Sequence, residues 1–320
     1  MRLYAQEMES SEGAGPLTIP PALPVTELHL HLEGSIEPET LCQIDPGVTL
    51  EEVRERYQFT DFAGFLNAYK WVVRKLNQPA DYALAARALR ERLAAQGVTH
   101  FELNLSVGVM VFRQLETRAI LDAIRAELPG VPLIFDAVRQ FTPEAAVEVA
   151  ELAVEYGAAF GIGGDESAQP MSMFRDAIRR ANGLFIPHAG ETTDARNVWE
   201  AVEHGAQRIG HGIRAIEDPA LCRYLRDHQI PLEISITSNV ATGSVPSVGA
   251  HPVRHLQDLG VPIILNTDDP AIFQTSLADE HRIARHVLGF TEPELSVLMA
   301  NAYQYFRGIK AEKSSWPLSD

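Results

Sequence analysis

The sequence lacks the features that mark secreted, membrane or nucleic-acid-binding proteins. Only two of its 320 residues are cysteine, Cys42 and Cys222, which excludes a disulfide framework and leads us to expect a reducing, cytoplasmic location. No stretch reaches the ~18 consecutive apolar residues of a membrane span. The 27 basic residues are outnumbered by 43 acidic ones, and the net charge of -16 argues against a nucleic acid or an anionic membrane as partner. This acidity does not indicate a substrate.

The two ends of the chain differ in composition from the part between them. Residues 1–24 are rich in Ser, Gly and Pro and lack the basic start and apolar run of a signal peptide, so we expect an N-terminal arm. Residues 309–320 are expected to form a polar tail. With 46% hydrophobic residues in the chain, residues 25–308 suffice for one α/β barrel domain of the usual ~250 residues with additions.

Between these ends, the hydrophobic pattern alternates between strands and helices. A first strand is predicted over 28–32, and mostly helical spacing follows to residue 96, with an aromatic stripe in 59–76 that is interpreted either as core packing or as a lid. Eight strand-then-helix units predict a parallel sheet closed into a (β/α)8 TIM barrel, with extra helices after the first strand and at the C-terminus. An open doubly wound sheet is the alternative, but no Gly-x-Gly-x-x-Gly turn supports it. The further strands are predicted over 98–105, 131–138, 158–163, 184–188, 208–211, 230–236 and 261–267.

Polar residues with catalytic potential stand at the C-terminal ends of these strands, where barrel enzymes carry their active sites. His29 and His31 lie two residues apart, so in a strand their side chains share one face. Each residue alone has an ordinary structural explanation, such as core packing for a histidine or a helix cap for an aspartate. Their joint position at one end of a barrel indicates a site. The other members are Gly164, Asp165, Glu166, His188, Glu191, His211, the segment 235–239, Asp268 and Asp269.

Three imidazoles and one carboxylate at this position can bind one divalent metal ion with a water molecule. On Zn²⁺, such a water has a pKa of ~7, and His211 with Asp268 can orient it and accept its proton. Glu191 is a candidate general acid if the pocket raises its pKa. Asp269 would point away from Asp268 if the chain is extended there, and would then contact the substrate. The candidate ligands are His29, His31, His188 and Asp268.

The motifs HLHLEG, GGDE, HAGE, GHG, a TSN strand end and NTDDP, in this order between Thr26 and about Phe306, resemble the adenosine deaminase family of metal-dependent amidohydrolases. The resemblance implies a (β/α)8 barrel, one zinc ion held by the four candidate ligands, and hydrolytic deamination at C6 of a purine. It further implies that Glu191 protonates purine N1, that His211 assists the water and the developing oxyanion, that Asp269 binds N7, and that the Gly164 N–H faces N3.

The same motifs leave the substrate open. Glu33 stands where an adenosine deaminase usually has an aspartate that reaches the 5′-hydroxyl, so a different 5′ group, or none, is expected. HLEG is also similar to adenine deaminases, which act on the free base, whereas GGDE resembles nucleoside-acting members. The mixture favours adenosine or a 5′-modified adenosine, such as methylthioadenosine or the menaquinone precursor aminodeoxyfutalosine, with free adenine as the alternative. Another mononuclear amidohydrolase and a non-catalytic barrel are further alternatives, and the oligomeric state is left open.

The remaining histidines are interpreted as packing or surface residues, with one exception. His251 and His255 flank a Gly- and Ser-rich segment after the predicted seventh strand, residues 241–250, where a contact with substrate is a second interpretation.

Overall fold

Eight short parallel strands form the centre of the described part of the chain, residues 24–306 of a computed structural model. The predicted arm, apart from Pro24, and the predicted tail lie outside these residues, so the domain boundaries stay predictions. Among the described helices, none is long and apolar enough to cross a membrane. The strands are, in order, Thr26–Glu27, His100–Phe101 with Leu103–Leu105, Leu133–Val138, Ala159–Gly163, His188–Ala189, Ile209–His211, Leu232–Ile234 and Ile263–Leu265.

Each strand pairs in parallel with the next, and the last returns to the first. A single bridge between Phe160 and Phe185 joins the fourth strand to the fifth, and another between Leu30 and Asp268 joins the first strand to the continuation of the eighth. The His31 N–H donates to the Asp268 carbonyl at 2.9 Å, which closes the ring beside two of the candidate metal ligands. The predicted (β/α)8 barrel is confirmed.

The helices surround this ring, and the predicted extra helices are present. Four lie between the first and second strands, at Pro38–Ile44, Leu50–Arg56, Phe62–Val73 and Pro79–Ala95, and two close the described chain at Leu277–His286 and Glu292–Tyr305. Polar side chains begin several of them, as Asp61 does by accepting the Gly64 N–H at 2.7 Å. The other helices are Val107–Phe112, Thr117–Glu127, Pro143–Tyr156, Arg175–Ala181, Ala195–Glu203, Pro219–Asp227, Ile236–Ala241, Val253–Asp258 and Pro270–Phe273; short 3₁₀ turns are Glu33–Ser35, Met171–Phe174, Ile213–Glu217 and Val248–Ala250.

The alternation predicted for the first strand decides which side chains enter the barrel. Leu28, Leu30 and Leu32 are completely buried, and Leu28 packs with residues of the last helix. His29 and His31 lie on the opposite face and meet other active-site groups, as the two-residue period requires. The paired part of this strand is nevertheless short, because the side-chain oxygen of Asn266 accepts the N–H groups of Leu28 and His29 in place of a neighbouring strand.

The prediction for the end of the seventh strand was wrong. The seventh strand was expected to run to residue 236 and to place 235–239 at its end, but it stops at Ile234, and Ile236–Ala241 is a short helix. The Glu280 carboxylate accepts the N–H groups of Ile236 and Thr237 at 2.8 and 3.2 Å, which satisfies the free donors at the start of that helix. The chain is also not extended at Asp268, whose φ of 65° is left-handed.

Candidate active site

The four candidate metal ligands converge at one point on the C-terminal side of the barrel. Suitable ligand atoms of His29, His31, His188 and Asp268 all lie within 4.8 Å of one another, and all four residues are buried. Nε2 of His31 is 3.2 Å from Nε2 of His188 and 3.3 Å from Oδ1 of Asp268, while Nε2 of His29 is also 3.3 Å from that oxygen. Ligand atoms roughly 3 Å apart are the arrangement expected around a zinc ion with bonds of ~2.0–2.1 Å.

The chemistry of this donor set fits a metal ion. Burial lowers the pKa of His31 to about 3 and that of His188 well below its usual range, so both imidazoles are neutral at pH 7 and have lone pairs to donate. Their Nε2 atoms, 3.2 Å apart and beside a carboxylate oxygen, are close enough for both to bind one cation between them. Three imidazoles and a carboxylate can therefore hold one divalent ion here.

Two neighbouring carboxylates that the sequence reasoning missed hold the site in place. Glu233 lies 3.0 Å from Nδ1 of His29, so it accepts the hydrogen there and leaves Nε2 free to face the metal position. Its other oxygen pairs at 2.6 Å with Nε of Arg208, which also pairs with Glu102; all three side chains are buried. The signal was present in the sequence, because Glu233 interrupts the apolar strand IPLEISI and Glu102 the strand HFELNL.

Glu191 is a buried carboxyl group in the wall of the same cavity. Burial, and next the charge of Asp268, raise the pKa of Glu191 well above its usual range, which favours its protonated form. Its loop is fixed by the predicted GDE segment, since the Glu166 carboxylate accepts the N–H groups of Gly190 and Glu191 at 2.9 and 2.8 Å. A protonated carboxyl in this position can act as a general acid.

A chain of hydrogen bonds defines which nitrogen of His211 carries hydrogen. The Val253 N–H donates to Nδ1 of His251 at 3.1 Å, so the hydrogen of this imidazole is on Nε2, which donates to Oδ1 of Asn239 at 3.2 Å. The Asn239 amide then donates through Nδ2 to Nδ1 of His211 at 3.1 Å. Burial lowers the pKa of His211 to about 4, so the ring is neutral. Its one hydrogen is therefore on Nε2, which faces Glu191 at 3.7 Å.

His251 therefore has a position that its sequence context did not reveal. It is buried behind Asn239 and His211 and is not in the cavity wall. It therefore belongs to the hydrogen-bond chain that ends at His211, which is neither the contact with substrate nor the simple packing considered from the sequence. His255 is exposed on the helix Val253–Asp258.

The other candidate residues occupy different parts of the site. Asp269 lines the cavity, and burial followed by the charge of Asp268 raises its pKa well above its usual range. Gly164 also lines the cavity at a φ of 93°, which a side chain disfavours. Glu33 is fully buried; its carboxylate accepts the Ser106 N–H at 3.0 Å and the Tyr69 hydroxyl at 3.2 Å, and it is not in the cavity wall.

The cavity above the metal ligands has a volume of about 370 Å³. One wall is the helix Phe62–Val73, so the aromatic stripe noted in the sequence both packs and lines the cavity. A buried carboxyl group that sequence reasoning missed, Asp136, is also in the wall; burial raises its pKa to about 7, and it accepts a hydrogen bond from the Asn104 amide at 3.0 Å.

The barrel and the site at its C-terminal side define a hydrolase of the metal-dependent amidohydrolase class. Comparison with known proteins makes this more specific, because the family model described as adenosine deaminase matches residues 24–309. The chain belongs to the adenosine deaminase family. It is thus a deaminase of adenosine-like or adenine substrates, a hydrolase of carbon–nitrogen bonds in cyclic amidines.

Relatives within the family carry three different names. The chain is 34% identical to an aminodeoxyfutalosine deaminase of Streptomyces avermitilis over 307 residues, 88% of this chain and 86% of the relative. It is also 34% identical to an adenosine deaminase of Edwardsiella ictaluri over 317 residues, 91% and 95% of the two chains. The crystal structure of an adenine deaminase from Arthrobacter aurescens aligns with a TM-score of 0.85 at 30% identity, covering 92% and 96%. These names do not distinguish a nucleoside from a free base.

Proposed function

We propose that this protein is a zinc-dependent deaminase of a 6-aminopurine nucleoside, which is converted with water into the 6-oxopurine and ammonia. The observation that carries the proposal is Glu191, a buried carboxyl with a raised pKa that lies in a cavity lined by three of the four convergent candidate ligands, His31, His188 and Asp268. Purine deamination needs such an acid, because C6 of a neutral purine is a poor electrophile. Cleavage of an ordinary amide or ester by another amidohydrolase has no ring nitrogen to protonate.

In this proposal, the side chains of the site divide the proton transfers between them. The bound zinc supplies a positive charge that lowers the pKa of water. Glu191 gives its proton to purine N1, which makes C6 electrophilic toward the oxygen of water, and Asp268 accepts a proton from that water. His211, with its hydrogen on Nε2, donates a hydrogen bond to the oxygen that adds at C6. Protonated Asp269 donates to N7, and the Gly164 N–H faces N3. Asp268 then passes the proton that it took from water to the amino group on C6, which leaves as ammonia, and the remaining hydroxyl proton returns to Glu191 to give the 6-oxopurine.

A free-base deaminase is the second candidate, supported by the adenine deaminase of Arthrobacter aurescens among the similar structures. The cavity favours the nucleoside, since about 370 Å³ matches the sites of drug-sized ligands and exceeds what a purine base alone would fill. Glu33, predicted to contact the substrate, would act in this cavity through Tyr69 and Ser106, which line it and contact its carboxylate.

The choice is tested by comparing kcat/KM for adenine, adenosine, methylthioadenosine and aminodeoxyfutalosine with the zinc-loaded protein. Nucleoside turnover at least tenfold more efficient than turnover of adenine is expected. Activity confined to adenine would make the free-base candidate correct.

The acid is tested by Glu191→Gln, which keeps the size of the side chain and removes its ionisable proton. We expect kcat to fall by at least about a hundredfold, within the ~10²–10⁴ range of general acid catalysis, while elemental analysis still finds bound zinc. The matched control is Glu203→Gln on the exposed face of the helix Ala195–Glu203, which should change neither value. An active Glu191→Gln enzyme would contradict the purine mechanism.

A further inference from the structure

The inner part of the cavity is lined by carboxyl groups and the outer part by two cationic side chains. Its carboxyl groups are buried at the ends of the barrel strands, around the metal ligands. Lys70 and Arg74 line the same cavity from the helix Phe62–Val73 and the residue after it, and both are exposed. A substrate with its 6-aminopurine at the carboxyl groups therefore extends toward two cations.

These two cations have no partner within the described part of the chain. No hydrogen bond, ion pair or ring contact engages either side chain, although the neighbouring Lys75 pairs with Asp45 at 2.8 Å and Arg113 donates to the Val73 carbonyl at 2.7 Å. A lysine and an arginine four residues apart on a helix repel each other, and no acidic side chain of the described residues forms an ion pair with either of them. This is notable in a protein whose net charge is -16. Their position at the cavity favours an anion on the ligand.

The surface next to these cations is apolar. Phe112 is 64% exposed, the largest exposed fraction among the exposed large hydrophobic residues in the described chain, and it lines the cavity. It stacks on Phe141 with ring centroids 4.3 Å apart and planes 8° apart. An exposed ring that stacks on a half-buried one at a binding cavity is suited to cover an apolar or aromatic part of a ligand.

We propose that the nucleoside substrate carries a carboxylate or phosphate at its end remote from C6, bound by Lys70 and Arg74, and that an apolar or aromatic segment of the same substituent rests on Phe112 and Phe141. This inference rests on the proposed deamination of a 6-aminopurine nucleoside and specifies its 5′ side. The cations bind the ground state and the transition state alike, so they lower KM and leave kcat unchanged.

The test compares pairs of substrates that differ in one charge. An adenosine with a 5′-linked carboxyphenyl group is compared with its methyl ester, and AMP with adenosine, in the zinc-loaded wild type and in the Lys70→Gln/Arg74→Gln double variant. A charge-assisted contact corresponds to about a ten- to hundredfold effect. We expect the wild type to prefer at least one anionic substrate over its neutral partner by that factor, and the double variant to lose the preference through KM. The preferred pair identifies carboxylate or phosphate as the anion.

Arg223→Gln is the matched control, because Arg223 is also exposed but lies on the helix Pro219–Asp227, outside the cavity. It should retain the full preference. Raised salt should reduce the preference of the wild type and of this control, whereas the double variant has no preference to lose. Equal turnover of charged and uncharged partners by the wild type would overturn the inference, as would an equal loss for both partners in the double variant. A wild type that deaminates no aminopurine would instead overturn the proposed function.

Discussion

At the scale of single residues, two side chains of the site stand on backbone that most residues avoid. His211 and Asp268 have φ values of 60° and 65° although neither is glycine. Such conformations cost free energy and persist where surrounding contacts impose them. Here Asn239 holds the ring of His211, and the Ser238 hydroxyl donates to Asp268 at 2.7 Å. The two left-handed residues thus lie at or just after the ends of the sixth and eighth strands. Each is held by a hydrogen bond from a side chain of the short helix Ile236–Ala241.

The hydrogen position on His211 leads to the first prediction. Asn239→Asp replaces the amide donor by a carboxylate that can only accept, so Nδ1 of His211 must carry the hydrogen and a neutral ring loses its donor at Nε2. We expect kcat to fall about 10- to 100-fold, the usual effect of removing such a positioning group, with zinc content unchanged. Steady-state kinetics with adenosine measure the loss, and ¹⁵N NMR of the imidazole reports the tautomer.

A matched substitution distinguishes this effect from general damage by a new carboxylate. Asn301→Asp alters an amide that donates to the Ile263 carbonyl at 3.0 Å, on the helix Glu292–Tyr305. It should reduce stability but not kcat. An Asn239→Asp enzyme with wild-type kcat, or with an unchanged ¹⁵N pattern at His211, would show that the relay does not set the tautomer.

At the scale of elements, the short helix Ile236–Ala241 depends on a single distant carboxyl group. Glu280 accepts the N–H groups of Ile236 and Thr237 and the Thr275 hydroxyl, and it is fully buried. Burial raises the pKa of Glu280 to about 7. This one residue of the helix Leu277–His286 therefore fixes the segment that carries both Ser238 and Asn239.

Glu280→Ala would leave two buried backbone donors unpaired. We expect the free energy of unfolding to fall by about 2–4 kcal/mol, measured by urea denaturation of the zinc-loaded protein. Glu280→Gln keeps an acceptor for the backbone and should cost much less. Equal losses in the two variants would mean that Glu280 acts through packing and not through its hydrogen bonds.

The same residue gives a stability prediction for pH. The folded pKa of Glu280, about 7, is above its ordinary value of 4.5, so the native state binds more protons than the unfolded state between these values. The contribution of the protonated carboxyl is complete below about pH 4.5 and is lost as the pH rises through 7. The stability of the wild type relative to Glu280→Gln should therefore decrease over this interval. A constant difference between pH 5 and 8 would contradict the assignment.

The elements that could be predicted from the sequence are those that depend on the pattern of apolar residues close together in the chain. The apolar alternation around His29 and His31, and the eight repeats of strand and helix, depend on residues close in the chain, and the structure confirms the barrel they predict. The end of the seventh strand was mispredicted because Glu280, more than forty residues away, caps a helix there. The position of His251 behind His211 likewise depends on contacts that no local period encodes.

At the scale of the whole molecule, a line of buried charges connects the barrel core to the metal ligands. Arg208, just before the sixth strand, pairs with Glu102 and Glu233. Its guanidinium also donates to the carbonyl of Tyr305, the last residue of the last described helix, at 2.9 Å. Glu233 continues the line to His29. The second, sixth and seventh strands and the last helix are thereby joined to the first strand through charged groups, whose burial is tolerated because they are paired.

This connection couples the candidate metal site to the fold, and metal removal is the last prediction. The site forms only when the first, fifth and eighth strands are in register, so an ion that binds the folded state alone stabilises it in proportion to RT ln(1 + [L]/Kd). Dialysis against a chelator should lower Tm and abolish deamination, and one equivalent of zinc per chain should restore both. The His188→Ala variant should lose the response of Tm to zinc. The control is His255→Ala, which replaces an exposed histidine outside the cavity and should behave as wild type. Two results together would contradict this prediction: chelation leaves Tm unchanged, and elemental analysis finds no metal before dialysis. They would show that the four convergent ligands do not hold an ion and that the barrel is stable through its core alone.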